Sequence, residues 1–183
     1  MEFEQVLRTV LAEFERHHLR YAVIGGFALG ALGAVRATKD IDFLVHRDDL
    51  DALHASLTRL GYQRVVKTEN VSQYGHADPL WGGLDFLHAF RPASLTMLEH
   101  ATPVPIFGGT LAMKVAEPED VIGLKIQAIA NNPKRKALDL DDIERLMELY
   151  GSRLDWGRVQ DYFDLFELGP EGRELKQRFD HAQ

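Results

Sequence analysis

The chain has 183 residues, 45% hydrophobic and 27% charged, an ordinary globular balance with enough apolar material for one buried core. It contains no Cys, which excludes a disulfide scaffold, a zinc–thiolate centre and a thiol nucleophile. A formal net charge of −7 argues against a long nonspecific grip on nucleic acid, because a polyanion is normally held by a basic surface.

The acidic start Met1-Glu2-Phe3-Glu4-Gln5 lacks the basic-then-apolar order of a signal peptide. No apolar run approaches the roughly 20 residues that span a bilayer. A cytoplasmic protein with no membrane partner is expected. Residues 2–19 read as an amphipathic helix, with Phe3, Val6, Leu7, Val10, Leu11 and Phe14 at helical spacing. Tyr21 to Ile24 is a short apolar run ending at Gly25-Gly26, a buried strand closed by a glycine turn. Residues 27–33 are small and apolar and suit a short helix. Asp40 to His46 reads as a strand with Ile41, Phe43 and Val45 on one face and Asp40, Asp42 and Leu44 on the other. Residues 48–60 are helical and stop at Gly61. Residues 62–67 and 71–76 form a candidate hairpin, 83–90 another strand, and 103–115 a second hairpin around Gly108-Gly109.

Beyond this point the pattern is helical. Pro118 occupies a first helical position, with Glu119 and Asp120 behind it where acidic side chains suit a helix start. Asn131-Asn132-Pro133 breaks that helix. Two more helices are expected near 139–150 and 155–167, followed by a polar tail that frays. The order predicts an α/β (mixed α+β) fold, a mixed sheet flanked by helices, with a C-terminal helical cap.

Two local features carry chemistry. A Gly25-Gly26 pair after a strand lets backbone N–H groups approach a phosphate, with a helix N-terminus behind them. Asp40 and Asp42, two apart on a strand, project both carboxylates to one face, an arrangement that is unfavourable without a cation; a strand entrance at the solvent edge is the alternative. Mg²⁺ is commonly held by one or two carboxylates together with substrate phosphates.

Gly-Gly after a strand, a short helix, then Asp-x-Asp opening the next strand resembles the signature of the DNA-polymerase-β-like nucleotidyltransferase superfamily. Arg36-Ala37-Thr38-Lys39-Asp40-Ile41-Asp42 resembles one branch more closely, the AbiEii-type bacterial nucleotidyltransferases, which include toxins of toxin–antitoxin and phage-defence systems. The sharp match covers residues 21–46, and weaker matches extend it to about residue 150. The resemblance implies a triphosphate-bound Mg²⁺ (or Mn²⁺) site and transfer of a nucleoside monophosphate to an acceptor hydroxyl. It implies a catalytic core over 1–116 and a helical region over 117–183 packed on it. It also implies a third carboxylate on a later strand, for which Asp85 is the candidate; its rival Asp78 precedes a proline and reads as a turn. Lys125, followed by Arg135-Lys136-x-x-Asp139, resembles the family's Lys helix, so Lys125 is expected at the triphosphate. An ordinary snorkelling lysine is the alternative. Arg36 and Thr38 are candidates for phosphate or sugar contacts, with pairing to a surface acid as the alternative for Arg36. Asp139 either orients Lys125 or Lys136 or caps the helix at 139–150, and capping is the preferred reading.

One departure stands out. The superfamily commonly carries Ser or Thr after Gly-Gly, and this chain has Phe27. The readings are therefore three: an enzyme acting on RNA, such as a tRNA end, with a cognate antitoxin and guidance from Lys134-Arg135-Lys136; an antibiotic-type enzyme acting on a small molecule; or a nucleotide-binding or interaction module without turnover. The eight His show no metal spacing, and neither a serine-hydrolase elbow nor a phosphate-binding P-loop occurs.

Overall fold

The computed structural model describes residues 1–35 and 37–182. The chain forms two compact units, one of residues 1–31 and 35–116, the other of residues 32–34 and 117–183.

The first unit opens with α1 (Phe3–Arg16), whose stripe of Val6, Leu7, Val10, Leu11 and Phe14 is buried as the periodicity predicts. The strands are β1 (Tyr21–Ile24), β2 (Ile41–His46), β3 (Tyr62–Lys67), β4 (Val71–His76), β5 (Leu84–Ala89), β6 (Thr102–Ile106) and β7 (Leu111–Val115). They make one seven-stranded sheet in the order β3-β4-β5-β2-β1-β7-β6. The β2–β5 and β1–β7 pairs are parallel and the others antiparallel. Edge strand β6 carries Pro103 and Pro105, which cannot donate to a further strand. On one face of the sheet Phe43 stacks on Phe86 with centroids 5.2 Å apart, and Phe14 of α1 meets Phe43 edge-on at 5.4 Å. Rings buried this way contribute about 1.5–3 kcal/mol each and anchor α1 to β2 and β5.

The remaining helices of this unit are α2 (Gly25–Ala31), α3 (Leu50–Arg59) and α4 (Pro92–His100). Helix α2 begins at the glycine pair itself, two residues before the expected start. The sequence gives no expectation of α4, because Met97 is its one buried residue and its apolar periodicity is weak. Gly61, with φ +89°, ends the α3 segment as expected.

The second unit is helical: α5 (Pro118–Asn131), α6 (Lys136–Tyr150), α7 (Trp156–Leu165) and α8 (Gly169–Ala182). Its core includes Val121, Ile122, Ile126, Ile143, Leu146, Met147, Val159 and Phe163. Gly123 lets α5 approach the Tyr162 ring, where a Cβ would lie 2.7 Å from ring carbons. Two expectations are corrected here. The polar tail does not fray: residues 169–182 form α8, held by buried Leu175, by Phe179 against Trp156 at 5.7 Å, and by Gly172 seated on Phe163. Asp139 does not cap a helix, because α6 starts at Lys136 and Asp139 already lies in its first turn. Among the described residues, no helix is long and apolar enough to cross a membrane.

Candidate active site

The strand pairings assemble the predicted carboxylates. Antiparallel pairing sets Ile24, the last residue of β1, opposite Asp42, and parallel pairing sets Asp42 beside Asp85. Paired residues on neighbouring strands share a face, so Asp42 and Asp85 project together. Asp40 stands just ahead of β2. Thr38 precedes the bend at Lys39-Asp40, its hydroxyl donating to the Asp40 carbonyl at 2.9 Å. The Ile41 N–H reaches the Gly83 carbonyl at 3.4 Å, and the Asp40 carboxylate lies over Gly83, where a Cβ would come within 2.9 Å of its Oδ1.

Gly25 adopts φ +64°, and a Cβ built on it would overlap the Asp42 carboxylate. Backbone conformation and carboxylate packing thus both demand glycine at this position. Gly26 follows it as a buried residue of α2. Phe27 turns its ring to Phe3 at 5.3 Å and Phe107 at 6.4 Å, so the residue standing where a hydroxyl was expected is apolar packing.

Asp40 is exposed while Asp42 and Asp85 are half-buried. Burial pushes the Asp85 carboxyl above the usual carboxylate range, and the charge of Asp40 adds to that rise. A hydrogen bond from Gln73 Nε2 to Asp85 Oδ2 at 3.3 Å works the other way. Three carboxylates at one end of adjacent strands offer all-oxygen donors, the set a hard divalent cation takes. In donor type, these residues suit a hard divalent cation.

Asp78 is a turn residue, its Oδ1 accepting from the Leu80 N–H at 2.9 Å. Arg36 lies outside the described residues. Lys125, in the helical unit, donates to Asp139 at 2.9 Å and to Asp142 at 2.6 Å, and its side chain is 7% exposed. Asp139 also accepts from Arg135 at 2.9 Å. Burial alone would raise the Asp139 carboxyl, but the hydrogen bonds from Arg135 and Lys125 overcome it and hold the group below its ordinary range. Of the alternatives for Asp139, orienting Lys125 is the one the contacts realise. Gln73 is the residue that sequence reasoning missed. It is the exposed polar side chain between buried Ser72 and Tyr74 of β4, and only the β4–β5 register brings it to Asp85.

Solved structures share this architecture at low identity. The antibiotic-resistance factor ANT(2'')-Ia superposes with a TM-score of 0.68 at 15% identity, covering 99% of this chain and 100% of that one. The lincosamide antibiotic adenylyltransferase LnuA, lincomycin-bound, gives 0.58 at 15% identity over 80% of this chain and 97% of that one. An antigenic nucleotidyltransferase-like protein from Paracoccidioides brasiliensis gives 0.55 at 18% identity over 93% and 90%. At these identities the likeness establishes the fold. No protein of curated function matches the sequence. A family profile described as "Uncharacterised nucleotidyltransferase" matches residues 2–169, and the chain belongs to that nucleotidyltransferase family.

Proposed function

We propose that this nucleotidyltransferase moves a nucleoside monophosphate from a nucleoside triphosphate to a hydroxyl of a small, cationic acceptor. The observation that carries the reading is the side-by-side register of Asp42 and Asp85, with Asp40 one step ahead and Gly25 beneath. Asp40, Asp42 and Asp85 would hold Mg²⁺ or Mn²⁺. Such an ion, when bound, neutralises triphosphate charge and makes the acceptor hydroxyl easier to ionise. The backbone N–H groups of Gly25 and Gly26 cradle the phosphates, and Thr38 keeps Asp40 in place. Asp85, whose carboxyl is already raised by burial, takes the acceptor proton. The acceptor oxygen then bonds to the α-phosphorus, the bond from that phosphorus to the bridging oxygen breaks, and pyrophosphate leaves with the electron pair. Lys125 is satisfied by Asp139 and Asp142, and we assign it to holding α5 on α6 in the helical unit. In this scheme residues 1–116 carry the chemistry and 117–183 support it, and the reaction belongs to the cytoplasm, where triphosphates are available.

The choice of acceptor rests on charge. A protein of net charge −7 suits a cationic small molecule better than a polyanion. The described neighbours include an adenylyltransferase solved with lincomycin and an antibiotic-resistance factor solved with adenylyl-2''-tobramycin. A second reading, RNA or a tRNA end modified by an AbiEii-like toxin with a cognate antitoxin, is favoured by the Arg-x-Thr-x-Asp-x-Asp run. Against it, Arg135 of the basic trio is already paired with Asp139. The third reading, binding without turnover, rests on Phe27.

The test is to incubate the protein with each nucleoside triphosphate labelled at the α-phosphorus, with Mg²⁺, an aminoglycoside and lincosamide panel, and total RNA, alongside Asp42→Asn. Label on a small molecule with wild type alone is expected, with Asp42→Asn folded and reduced to background. Label on RNA selects the toxin reading. Full activity in Asp42→Asn sinks the site.

A further inference from the structure

The carboxylate row does not end at Asp85. Across β4, β5, β2 and β1 the register runs Gln73, Asp85, Asp42, Ile24. Gln73 is exposed, so it contributes little to the core. Its Nε2 donates to Asp85 Oδ2 at 3.3 Å. Because β5 lies between β4 and β2, Gln73 and Asp42 flank Asp85 from opposite neighbouring strands. We propose that Gln73 is a positioning residue for the transfer reaction: its amide fixes one oxygen of Asp85 and leaves the other facing Asp42 and Asp40, ready for a divalent cation. This rests on the three-carboxylate reading of the site.

The residue type matters. Asp85 is penalised by burial and by the nearby charge of Asp40. A lysine at 73 would pair with Asp85 and compete with a cation. A glutamate would add a further negative charge and could not donate. A neutral amide orients the carboxylate without altering the charge of the site. Strand pairing fixes the separation of the two backbones, so the contact needs no loop to hold it.

The experiment is Mn²⁺ titration of the full-length protein with α,β-methylene-ATP, read by the paramagnetic resonance of free Mn²⁺, for wild type, Asp42→Asn, Asp85→Asn and Gln73→Met. Gln73→Met keeps the length of the side chain and removes the donor. It should weaken, by about tenfold, the Mn²⁺ binding step that Asp85→Asn removes, the lower end of what losing an outer partner of a metal ligand costs. Triphosphate affinity and the urea midpoint should match wild type, which separates positioning from a folding defect. Mn²⁺ affinity within twofold of wild type in Gln73→Met overturns the proposal and leaves the carboxylate site standing. If Asp42→Asn or Asp85→Asn binds Mn²⁺ as wild type does, the carboxylate reading itself fails and the role of Gln73 falls with it.

Discussion

Lys125→Met tests the helical unit at its most charged buried point. The substitution keeps the aliphatic stem and removes the ammonium. In the native protein the Lys125 side chain is 7% exposed, Asp139 0% and Asp142 1%, so all three groups sit away from water. Breaking a buried pair by deleting one partner costs about 3–5 kcal/mol, because the surviving charge keeps its desolvation penalty. Arg135 remains on Asp139 and softens the loss there, while Asp142 loses the Lys125 ammonium at 2.6 Å. The expected loss is therefore near the lower end, about 3 kcal/mol. With a urea m-value of about 2 kcal/mol/M, that moves the midpoint down by about 1.5 M. The chain has two Trp, and in a Trp81→Phe background Trp156 of α7 reports on this unit alone. Lys125→Met/Asp142→Asn should recover part of the loss, since it lowers the buried negative charge beside the deleted ammonium. A midpoint unchanged by Lys125→Met would refute the buried-triad reasoning and return Lys125 to the list of candidate triphosphate contacts.

Gly25→Ala meets two obstacles, a left-handed backbone worth about 1–2 kcal/mol against an L side chain and overlap with the Asp42 carboxylate. Gly108→Ala meets only the first, at φ +67° with nothing within 4 Å. Urea unfolding should show a loss of about 1–2 kcal/mol for Gly108→Ala and more for Gly25→Ala, and only Gly25→Ala should abolish label transfer; equal behaviour would show that Gly25 does not make room for Asp42. His88 is buried, with Nδ1 on the Glu69 carbonyl at 2.9 Å and Nε2 on Ser72 Oγ at 3.0 Å, and burial lowers its pKa below the ordinary histidine value. The folded state thus binds its proton less readily than the unfolded chain. Its stabilising contribution is complete above about pH 6.5 and is lost as pH falls through the folded-state pKa. Urea midpoints should fall from pH 7 to pH 5, less steeply in His88→Gln, and an NMR titration placing His88 above 6.5 would contradict this.

Local signals in the sequence were strong where one short segment decides its own structure. The stripe of α1, the apolar run of β1, Gly61 after α3, Pro118 opening α5 and the Asn132-Pro133 break all follow from spacing or from backbone chemistry within a few residues. So does the projection of Asp40 and Asp42 ahead of and within β2, since alternation along a strand is a local rule. Helices α4 and α8 escaped because each buries only a few side chains, and what holds α8 is a partner in α7 rather than its own pattern. Asp139 escaped for a related reason: a capping role and a buried ion pair require the same residue type, and only the packing of α5 against α6 chooses between them. The meeting of Asp85 and Gln73 with Asp42 depends on strand order and register. Separate strands are brought into one row by pairings that no local pattern encodes, because hydrogen-bonded strands recognise one another through backbone groups that every residue shares.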